Sequence, residues 1–278
     1  LMMDDNSGQP SAKEVFDTTP YTILVVDDNP DMTDFLKRTF EGYFKRIIIA
    51  GDGVEALQLV RSHVPDIIVS DVMMPRMNGY ELCKTIKEDI AISHIPVILL
   101  TAKDDKQSLI SGYKNGADGY LSKPFEVEML MELIRNRLKN REYTKKRYLN
   151  AGLIPTPEES TISLTDETFL IKLNSIIQEN IDNTNLGIQF ICQEVGLGRS
   201  SLYNKLKALT GMGANEYISK LRIEKAITLI SGTDMPFSEI AEKTGFTTPS
   251  YFSTAFKQYT GETPSQYKER KKKGLADK

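Results

Sequence analysis

Five short aliphatic runs, separated by helix-length amphipathic segments, recur through the first half of the chain. They lie at residues 23–26, 47–50, 67–70, 97–100 and 120–122. Strand-length apolar runs that alternate with helices are typical of a parallel sheet covered by helices on both faces. The pattern therefore predicts a doubly wound α/β domain of five parallel strands over residues 21–140, with a last helix that starts at Glu126.

The second half of the chain has a different pattern. Beyond Asp166 there is no convincing strand-length run, and helical periodicity continues to about Lys273 with glycines between the helices. Pro155, Pro157 and several Ser and Thr residues between 151 and 165 have the composition of a linker. We therefore predict a flexible leader at 1–20, the α/β domain at 21–140, a linker that includes helical segments at 141–185, and an all-helical domain at 186–273.

Charge and composition limit the classes of function. Residues 1–150 contain 20 Lys+Arg against 23 Asp+Glu, whereas residues 186–278 contain 14 against 9, so only the second half favours a polyanionic partner. No apolar run approaches the roughly 20 residues of a membrane span, and the N-terminal residues lack the apolar core of a signal peptide. We expect a cytoplasmic chain without membrane contact. Cys83 and Cys192 are too isolated for a disulfide framework or a zinc site.

Chemically active side chains follow the predicted strands. Asp27 and Asp28 come after the first strand and Asp71 after the third, while Thr101 ends the fourth and Lys123 ends the fifth. In an open parallel sheet the ligand crevice lies at the carboxyl ends of the strands, where the strand order reverses. With the order 2-1-3-4-5, the first and third strands are neighbours at that point. We therefore expect the five side chains to converge.

This set of residues fits phosphoryl transfer. Clustered carboxylates need a hard cation, and Mg²⁺ prefers oxygen ligands. A carboxylate can also act as a nucleophile and form an aspartyl-phosphate, whose charge a Lys and a hydroxyl stabilise. We predict Asp71 as the nucleophile, with Lys123 and Thr101 as phosphate ligands. The predicted Mg²⁺ ligands are Asp27, Asp28, Asp71 and the backbone carbonyl of Met73.

Residues 21–140 resemble a response-regulator receiver domain. The motifs that carry the resemblance lie at 25–28, 71–79, 101–102 and 119–125, in the expected order and spacing. The resemblance implies a flavodoxin-like fold, a cis peptide bond before Pro124, and a switch in which Thr101 and Tyr120 reorient after Asp71 is phosphorylated. A haloacid-dehalogenase-like phosphatase is the rival interpretation. It is disfavoured because its nucleophile follows the first strand, with a second Asp two residues later, where this chain has Asn29 or Pro30.

The resemblance also singles out two positions that affect the lifetime of the phosphorylated state. They stand two residues after the nucleophile and two after the threonine, and are occupied here by Met73 and Lys103. A thioether is only a weak acceptor and cannot donate a hydrogen bond to orient water. We therefore expect slow self-dephosphorylation.

Two helix-turn-helix patterns occur in the second half, at 186–207 and 237–259, with a helix at about 215–230 between them. Residues 187–271 resemble AraC-type DNA-binding domains in both units and in the connecting helix. The side chains expected to reach base edges in the major groove are Ser200, Tyr203, Asn204, Ser250, Tyr251 and Thr254. Those expected to contact phosphates are Arg199, Lys205, Lys207 and Lys257.

Together these features predict a phosphorylation-dependent transcriptional regulator. Neither His63 nor His94 resembles a kinase histidine, so we expect no enzymatic activity beyond the receiver's own phosphorylation chemistry, and a histidine kinase in cis or in trans as phosphate donor. RNA polymerase and a second copy of the chain are the other expected partners, with the extended helix through Tyr148 contributing to the dimer.

The domain order also resembles the C-terminal end of hybrid two-component sensors, which are tethered to the inner membrane. The start at Leu1 fits such a fragment. A free-standing regulator is the alternative, and so is a receiver that serves as a phosphate sink or a protein-docking module.

Overall fold

The computed structural model of the chain describes residues 15–102, 116–150 and 163–276. Its first domain contains one parallel sheet with the order β2-β1-β3-β4-β5. The strands are β1 Thr22–Val26, β2 Arg46–Ala50, β3 Ile67–Asp71, β4 Val97–Ala102 and β5 Gly119–Lys123. The structure thus confirms the predicted five-stranded, doubly wound sheet.

Helices cover both faces of this sheet. In the described residues these helices are α1 Pro30–Phe40, α2 Gly53–His63, α3 Gly79–Glu88 and α4 Val127–Asn150. Helices α1 and α4 pack on one face, where Phe40 and Ile134 are fully buried, and α2 and α3 pack on the other, around Val60 and Leu82. A side chain caps the start of each of the first three helices: Asn29, Asp52 and Asn78 accept hydrogen bonds from first-turn N–H groups.

The last residues of the predicted leader are part of the α/β domain. Thr18 is buried, and its hydroxyl donates a 2.7 Å hydrogen bond to the carbonyl of Tyr43. Phe16 stacks on Tyr21, with ring centroids 5.9 Å apart. The expectation of a flexible leader is therefore wrong for residues 15–20, while residues 1–14 lie outside the described part of the chain.

The second domain is helical, as predicted. Its described helices are α5 Leu164–Glu179, α6 Ile188–Val195, α7 Arg199–Thr210, α8 Ala214–Gly232, α9 Phe237–Lys243, α10 Pro249–Thr260 and α11 Pro264–Ala276. They form two cores that share α8, because Tyr217 and Leu221 pack in the first core and Ala226 and Ile230 pack in the second. None of the helices in the described ranges combines the length and apolarity that a membrane span requires.

The boundary between the domains differs from the predicted one. Helix α4 continues without a break to Asn150, so position 140 lies inside a helix. Tyr148, near its end, is buried in the first helical core together with Phe169 of α5, a helix that falls within the predicted linker. An apolar stripe indicates that one face of a helix is buried but not which partner buries it. The helical domain of the same chain covers Tyr148, so this side chain is not free for a dimer contact in this arrangement. A contribution of the rest of the extended helix to a dimer stays a prediction.

Candidate functional site

The carboxyl ends of β1 and β3 place two aspartates beside each other. The strands pair in parallel, with Val26 opposite Ser70, so Asp27 and Asp71 follow at the same edge of the sheet. Both residues are buried, whereas Asp28 is exposed at the mouth of the crevice. The structure therefore brings these acidic residues to the edge that the sequence predicts.

Lys123 joins the two aspartates. Its Nζ lies 2.8 Å from Asp27 Oδ2 and 2.5 Å from Asp71 Oδ1, across a separation of 96 residues from Asp27. The side chain reaches this point from the end of β5, just before the cis peptide bond at Lys123–Pro124. One ammonium group thus holds the carboxylates of two strands together.

Burial and charge oppose each other in this site. Burial raises the pKa of Asp71 above the ordinary aspartate value, and the negative charge of Asp27 adds to this, although the ammonium of Lys123 acts in the other direction. Burial alone lowers the pKa of Lys123, but hydrogen bonds to Asp27 and Asp71 leave it raised overall. Lys123 therefore stays protonated and can neutralise the charge that develops on a transferred phosphoryl group.

Backbone groups near Asp71 orient its carboxylate and limit which residue fits at position 79. The N–H of Met73 donates a 2.9 Å hydrogen bond to Asp71 Oδ2, which fixes the carboxylate from the side away from Lys123. At Gly79 a Cβ atom would lie only 2.2 Å from the carbonyl oxygen of Asp71. Only glycine fits there, so Gly79 positions the backbone of Asp71, the predicted nucleophile. The sequence-based assignment of site residues left it out, although it ends the 71–79 motif.

The other predicted receiver residues lie around this centre. Thr101 is buried at the end of β4, and Tyr120 lies on β5 opposite Leu99. The side chain of Met73 is 73% exposed beside the nucleophile. Lys103 lies outside the described residues.

The donor set suits a divalent cation. Two carboxylates, those of Asp27 and Asp71, contact the single ammonium group of Lys123, which leaves this cluster with net negative charge. The carboxylate oxygens are donors of the kind that Mg²⁺ prefers. Within the described residues no three acidic, His or Cys side chains are already arranged around a single coordination point. Asp27 and Asp71 contact Lys123 instead, so a cation at this edge has to share the carboxylates with the ammonium group.

The second helix of each helix-turn-helix unit presents its polar residues outward. On α7, Arg199, Ser200, Tyr203 and Lys207 are exposed, and Asn204 is half-buried. On α10 the exposed residues are Ser250, Tyr251, Thr254 and Lys257. The ring of Tyr251 also packs edge-on against Phe246, at 5.8 Å between centroids, which restricts its orientation. The two turns end at Gly198 and Thr248, which have extended backbone conformations and directly precede α7 and α10.

Lys205 departs from the expectation that it contacts DNA. Its side chain is fully buried, forms an ion pair with Asp166 of α5 and donates a 2.8 Å hydrogen bond to Ser93 Oγ of the α/β domain. Ser93 Oγ in turn donates to Asp166 Oδ1, at 2.7 Å. Lys205 therefore holds the two domains together in this structure and is unavailable to DNA. The helical periodicity of the sequence placed Lys205 on a helix with a polar face. It could not predict that Asp166 and Ser93 would be the partners of this side chain.

Comparisons with known proteins give one matching family model for each of the two domains. The model described as "Response regulator receiver domain" matches residues 23–135, and the one described as "Helix-turn-helix domain" matches residues 191–270. The chain is 41% identical over 249 residues to "Histidine kinase P4" of Formosa agariphila, covering 90% of this chain and 18% of that protein. It is 37% identical over 136 residues to "DNA-binding response regulator MtrA" of Mycolicibacterium smegmatis, covering 49% of this chain and 58% of that one. The chain thus spans less than two thirds of each of these two relatives.

A further relative is covered over more of its length. "Response regulator MprA" of Mycobacterium sp. (strain KMS) is 36% identical over 165 residues, which are 55% of this chain and 70% of that one. Among solved structures, the Francisella response regulator 1452 receiver domain is 36% identical, with a TM-score of 0.40, covering 43% of this chain and 98% of that one. The C-terminal domain of AraT from Geobacillus stearothermophilus is 30% identical, with a TM-score of 0.36, covering 40% and 88%. The chain belongs to the response-regulator family and combines a receiver domain with an AraC-type helix-turn-helix domain.

Proposed function

We propose that the chain is a phosphorylation-dependent transcriptional regulator of a two-component phosphorelay. The observation that carries the proposal is the pair of contacts from Lys123 Nζ to Asp27 and Asp71 at the carboxyl ends of neighbouring strands. In this reaction a nitrogen–phosphorus bond on a kinase phosphohistidine breaks, and an oxygen–phosphorus bond forms on Asp71. Lys123 stabilises the charge on the phosphoryl oxygens, and Thr101 serves as the second phosphate ligand.

Mg²⁺ is the cofactor in this proposal, because the site carries more negative charge than Lys123 can neutralise. When bound, it supplies charge neutralisation between the carboxylates and the incoming phosphoryl group. The groups that would hold it are the carboxylates of Asp27, Asp28 and Asp71 and the backbone carbonyl of Met73. The chain's own contribution is to orient Asp71, through the N–H of Met73 and the close approach of Gly79.

Double-stranded DNA is the proposed target of the helical domain. The outward residues of α7 and α10 supply polar and cationic groups for base edges and phosphates, and this half of the chain has the surplus of basic residues. In the proposed switch, phosphorylation of Asp71 reorients Thr101 and Tyr120. The receiver surface then changes, and this change alters the orientation of α7 and α10, the two reading helices. The new orientation favours a homodimer on adjacent half-sites of the DNA. The bound dimer recruits RNA polymerase.

The phosphate donor is a histidine kinase domain, and we propose that it precedes this chain in the same polypeptide, as in a hybrid sensor. Support comes from the alignment over 90% of the chain with a protein named as a histidine kinase. Such a protein is tethered to the inner membrane with this portion in the cytoplasm. The reading frame upstream of Leu1 tests the point: a continuous kinase-encoding frame supports it, and an adjacent stop codon followed by a start codon favours the free-standing regulator.

The decisive experiment measures DNA binding before and after treatment with acetyl phosphate or beryllofluoride in the presence of Mg²⁺. Promoter fragments and a scrambled duplex of equal length separate specific from general binding at moderate salt. We expect treatment to tighten specific binding and Asp71→Ala to lose the gain. Specific binding that does not respond to treatment contradicts phosphorylation control.

The same experiment separates the alternative functions. A phosphate sink accepts phosphate on Asp71 but leaves the helical domain without affinity for any duplex. A protein-docking module also gives no retention on DNA at moderate salt. The exposed cationic and polar residues on both reading helices favour DNA binding over these alternatives.

A further inference from the structure

A cavity of about 80 Å³ lies between the receiver domain and the helical domain, away from Asp71. The receiver side contributes His94 and, from α4, Arg137 and Arg141, while the other side contributes Asp166 of α5 and Leu209 of α7. The cavity therefore exists only while the two domains are docked. It plays no part in the phosphorylation chemistry or the DNA contacts described above.

Three buried nitrogen atoms around this cavity have no hydrogen-bond partner among the residues that the structure describes. They are Nδ1 of His94 and the Nε atoms of Arg137 and Arg141. Buried polar groups in folded proteins are almost always hydrogen-bonded, so each exception calls for an explanation such as a bound ion or water. Because all three atoms belong to residues that line one cavity, a single occupant with several acceptor oxygens can satisfy them together.

The charges around the cavity leave a surplus of one positive charge. Asp118 forms a 2.7 Å ion pair with Lys87, and Asp166 is paired with Lys205. Arg141 pairs with Asp66 at 3.4 Å. Among the described residues no carboxylate lies within ion-pair distance of Arg137. The acidic side chains that line the cavity are thus already neutralised, and Arg137 supplies the net charge.

His94 adds a donor without adding charge. Its side chain is 8% exposed. Burial lowers its pKa well below the ordinary value, and the positive charges of Arg141, Lys205, Lys87 and Lys145 lower it further. The imidazole is therefore neutral and carries one N–H, which it can direct to an acceptor. Two guanidinium groups and one imidazole N–H form a set that matches an oxyanion.

We propose that this interdomain cavity binds one small oxyanion, of the size of inorganic phosphate or a short carboxylate, through Arg137, Arg141 and His94. The cavity is large enough for several water molecules, and hence for one tetrahedral oxyanion. Since both domains line the cavity, the anion stabilises their docked arrangement by mass action.

The test uses the two histidines of the chain as reporters. His94 lines the cavity, whereas His63 is exposed at the end of α2 and responds to general ionic effects. The full chain is titrated, without Mg²⁺ and at constant ionic strength, with inorganic phosphate, sulfate and acetate while both imidazole resonances are followed by NMR. A His63→Gln variant assigns the two signals. We expect saturable movement of the His94 signal alone, and the three anions distinguish a tetrahedral oxyanion from a carboxylate.

Matched variants locate the site. Arg137→Gln removes the surplus charge, and we expect it to weaken anion binding by about tenfold or more, since a hydrogen bond to a charged group is lost. Arg135→Gln, on the same helix but away from the cavity lining, leaves the affinity unchanged, and Arg137→Lys keeps the charge with an intermediate affinity. The proposal is overturned if His94 responds to none of the three anions, if both histidines drift together without saturation, or if folded Arg137→Gln binds like the parent chain.

Discussion

Lys205 of the first reading helix and Asp166 of α5 form an ion pair that is buried at the contact between the two domains. The side chains are 0% and 4% exposed, and the hydroxyl of Ser93 on the receiver bonds to both. Burial lowers the pKa of Lys205, and the adjacent Asp166 opposes that effect. A residue on the second helix of the first helix-turn-helix unit therefore links that helix to the receiver domain.

Removal of the Lys205 ammonium group should destabilise the chain in which the two domains are docked. Lys205→Met leaves Asp166 buried without its partner, which costs about 3 kcal/mol or more. Urea unfolding of the full chain, followed by circular dichroism, measures the loss. Lys207→Met is the matched control, because Lys207 lies on the same helix but is exposed, and its effect should stay within about 0.5 kcal/mol. Equal stability of the two variants contradicts a structural role for the ion pair.

Replacement of Asp71 by asparagine should stabilise the receiver domain at neutral pH. The pKa of Asp71 is raised in the folded chain, so the folded state binds a proton more readily than the unfolded state. The cost of ionisation is therefore fully present above the raised pKa and disappears as the pH falls below the ordinary aspartate value. Asp71→Asn should resist urea better than the parent chain at about pH 7, with a smaller difference near pH 4.

The comparison needs a neutral substitution elsewhere on the same domain. Asp34→Asn on the exposed face of α1 serves this purpose and should not show the pH-dependent gain. An Asp71→Asn variant that is less stable than the parent chain at neutral pH would be evidence against the raised pKa.

Met73→Asn should shorten the lifetime of the phosphorylated state. The methionine side chain is 73% exposed beside the nucleophile and cannot position water, whereas an amide can. We expect self-dephosphorylation to accelerate several-fold, measured as loss of label from the isolated phosphorylated chain with Mg²⁺. Met73→Leu, which keeps an apolar side chain, should retain the slow rate. If the asparagine and leucine variants lose phosphate equally fast, position 73 does not control hydrolysis.

Arg199→Ala should lower the salt dependence of DNA binding. Arg199 is exposed at the start of α7, and loss of one phosphate contact reduces the slope of log K against log salt by about one. Titrations at several salt concentrations, followed by fluorescence anisotropy, measure the slope. Lys172→Ala, an exposed lysine on α5, is the control and should leave the slope unchanged. An unchanged slope for Arg199→Ala removes this residue from the DNA interface.

Gly79→Ala should displace the nucleophile. The added methyl group would meet the carbonyl of Asp71 at 2.2 Å, and backbone cannot move aside as a flexible side chain can. We expect a loss of about 1–3 kcal/mol in stability and slower phosphorylation by acetyl phosphate. Gly232→Ala, where a Cβ meets no atom within 4 Å, is the matched control and should be neutral or stabilising. Normal phosphorylation of the Gly79 variant would contradict its positioning role.

The position of the candidate phosphorylation site could be predicted from the sequence, because strand order and strand ends determine it. Asp27, Asp71 and Lys123 each end or follow an aliphatic run, and parallel pairing brings such positions to one edge whatever the loops do. The two helix-turn-helix units could be predicted from the sequence for a similar reason. Their short apolar helices and turns follow local rules of periodicity, which also explains why α7 and α10 begin near the predicted positions.

The way in which the two domains meet could not be predicted from local sequence patterns. Periodicity shows that Tyr148 and Lys205 lie on helices, but their burial depends on α5, α8 and the receiver surface, which are distant in sequence. The same holds for Thr18. The polar, proline-containing composition around it predicts a flexible leader, but its hydroxyl donates a hydrogen bond to the carbonyl of Tyr43 in the receiver domain. Local sequence patterns were therefore enough to predict the two folds and the cluster of Asp27, Asp71 and Lys123 at the strand ends. The domain contact, with its buried ion pair and its cationic cavity, arises from long-range packing, for which local patterns carry no signal.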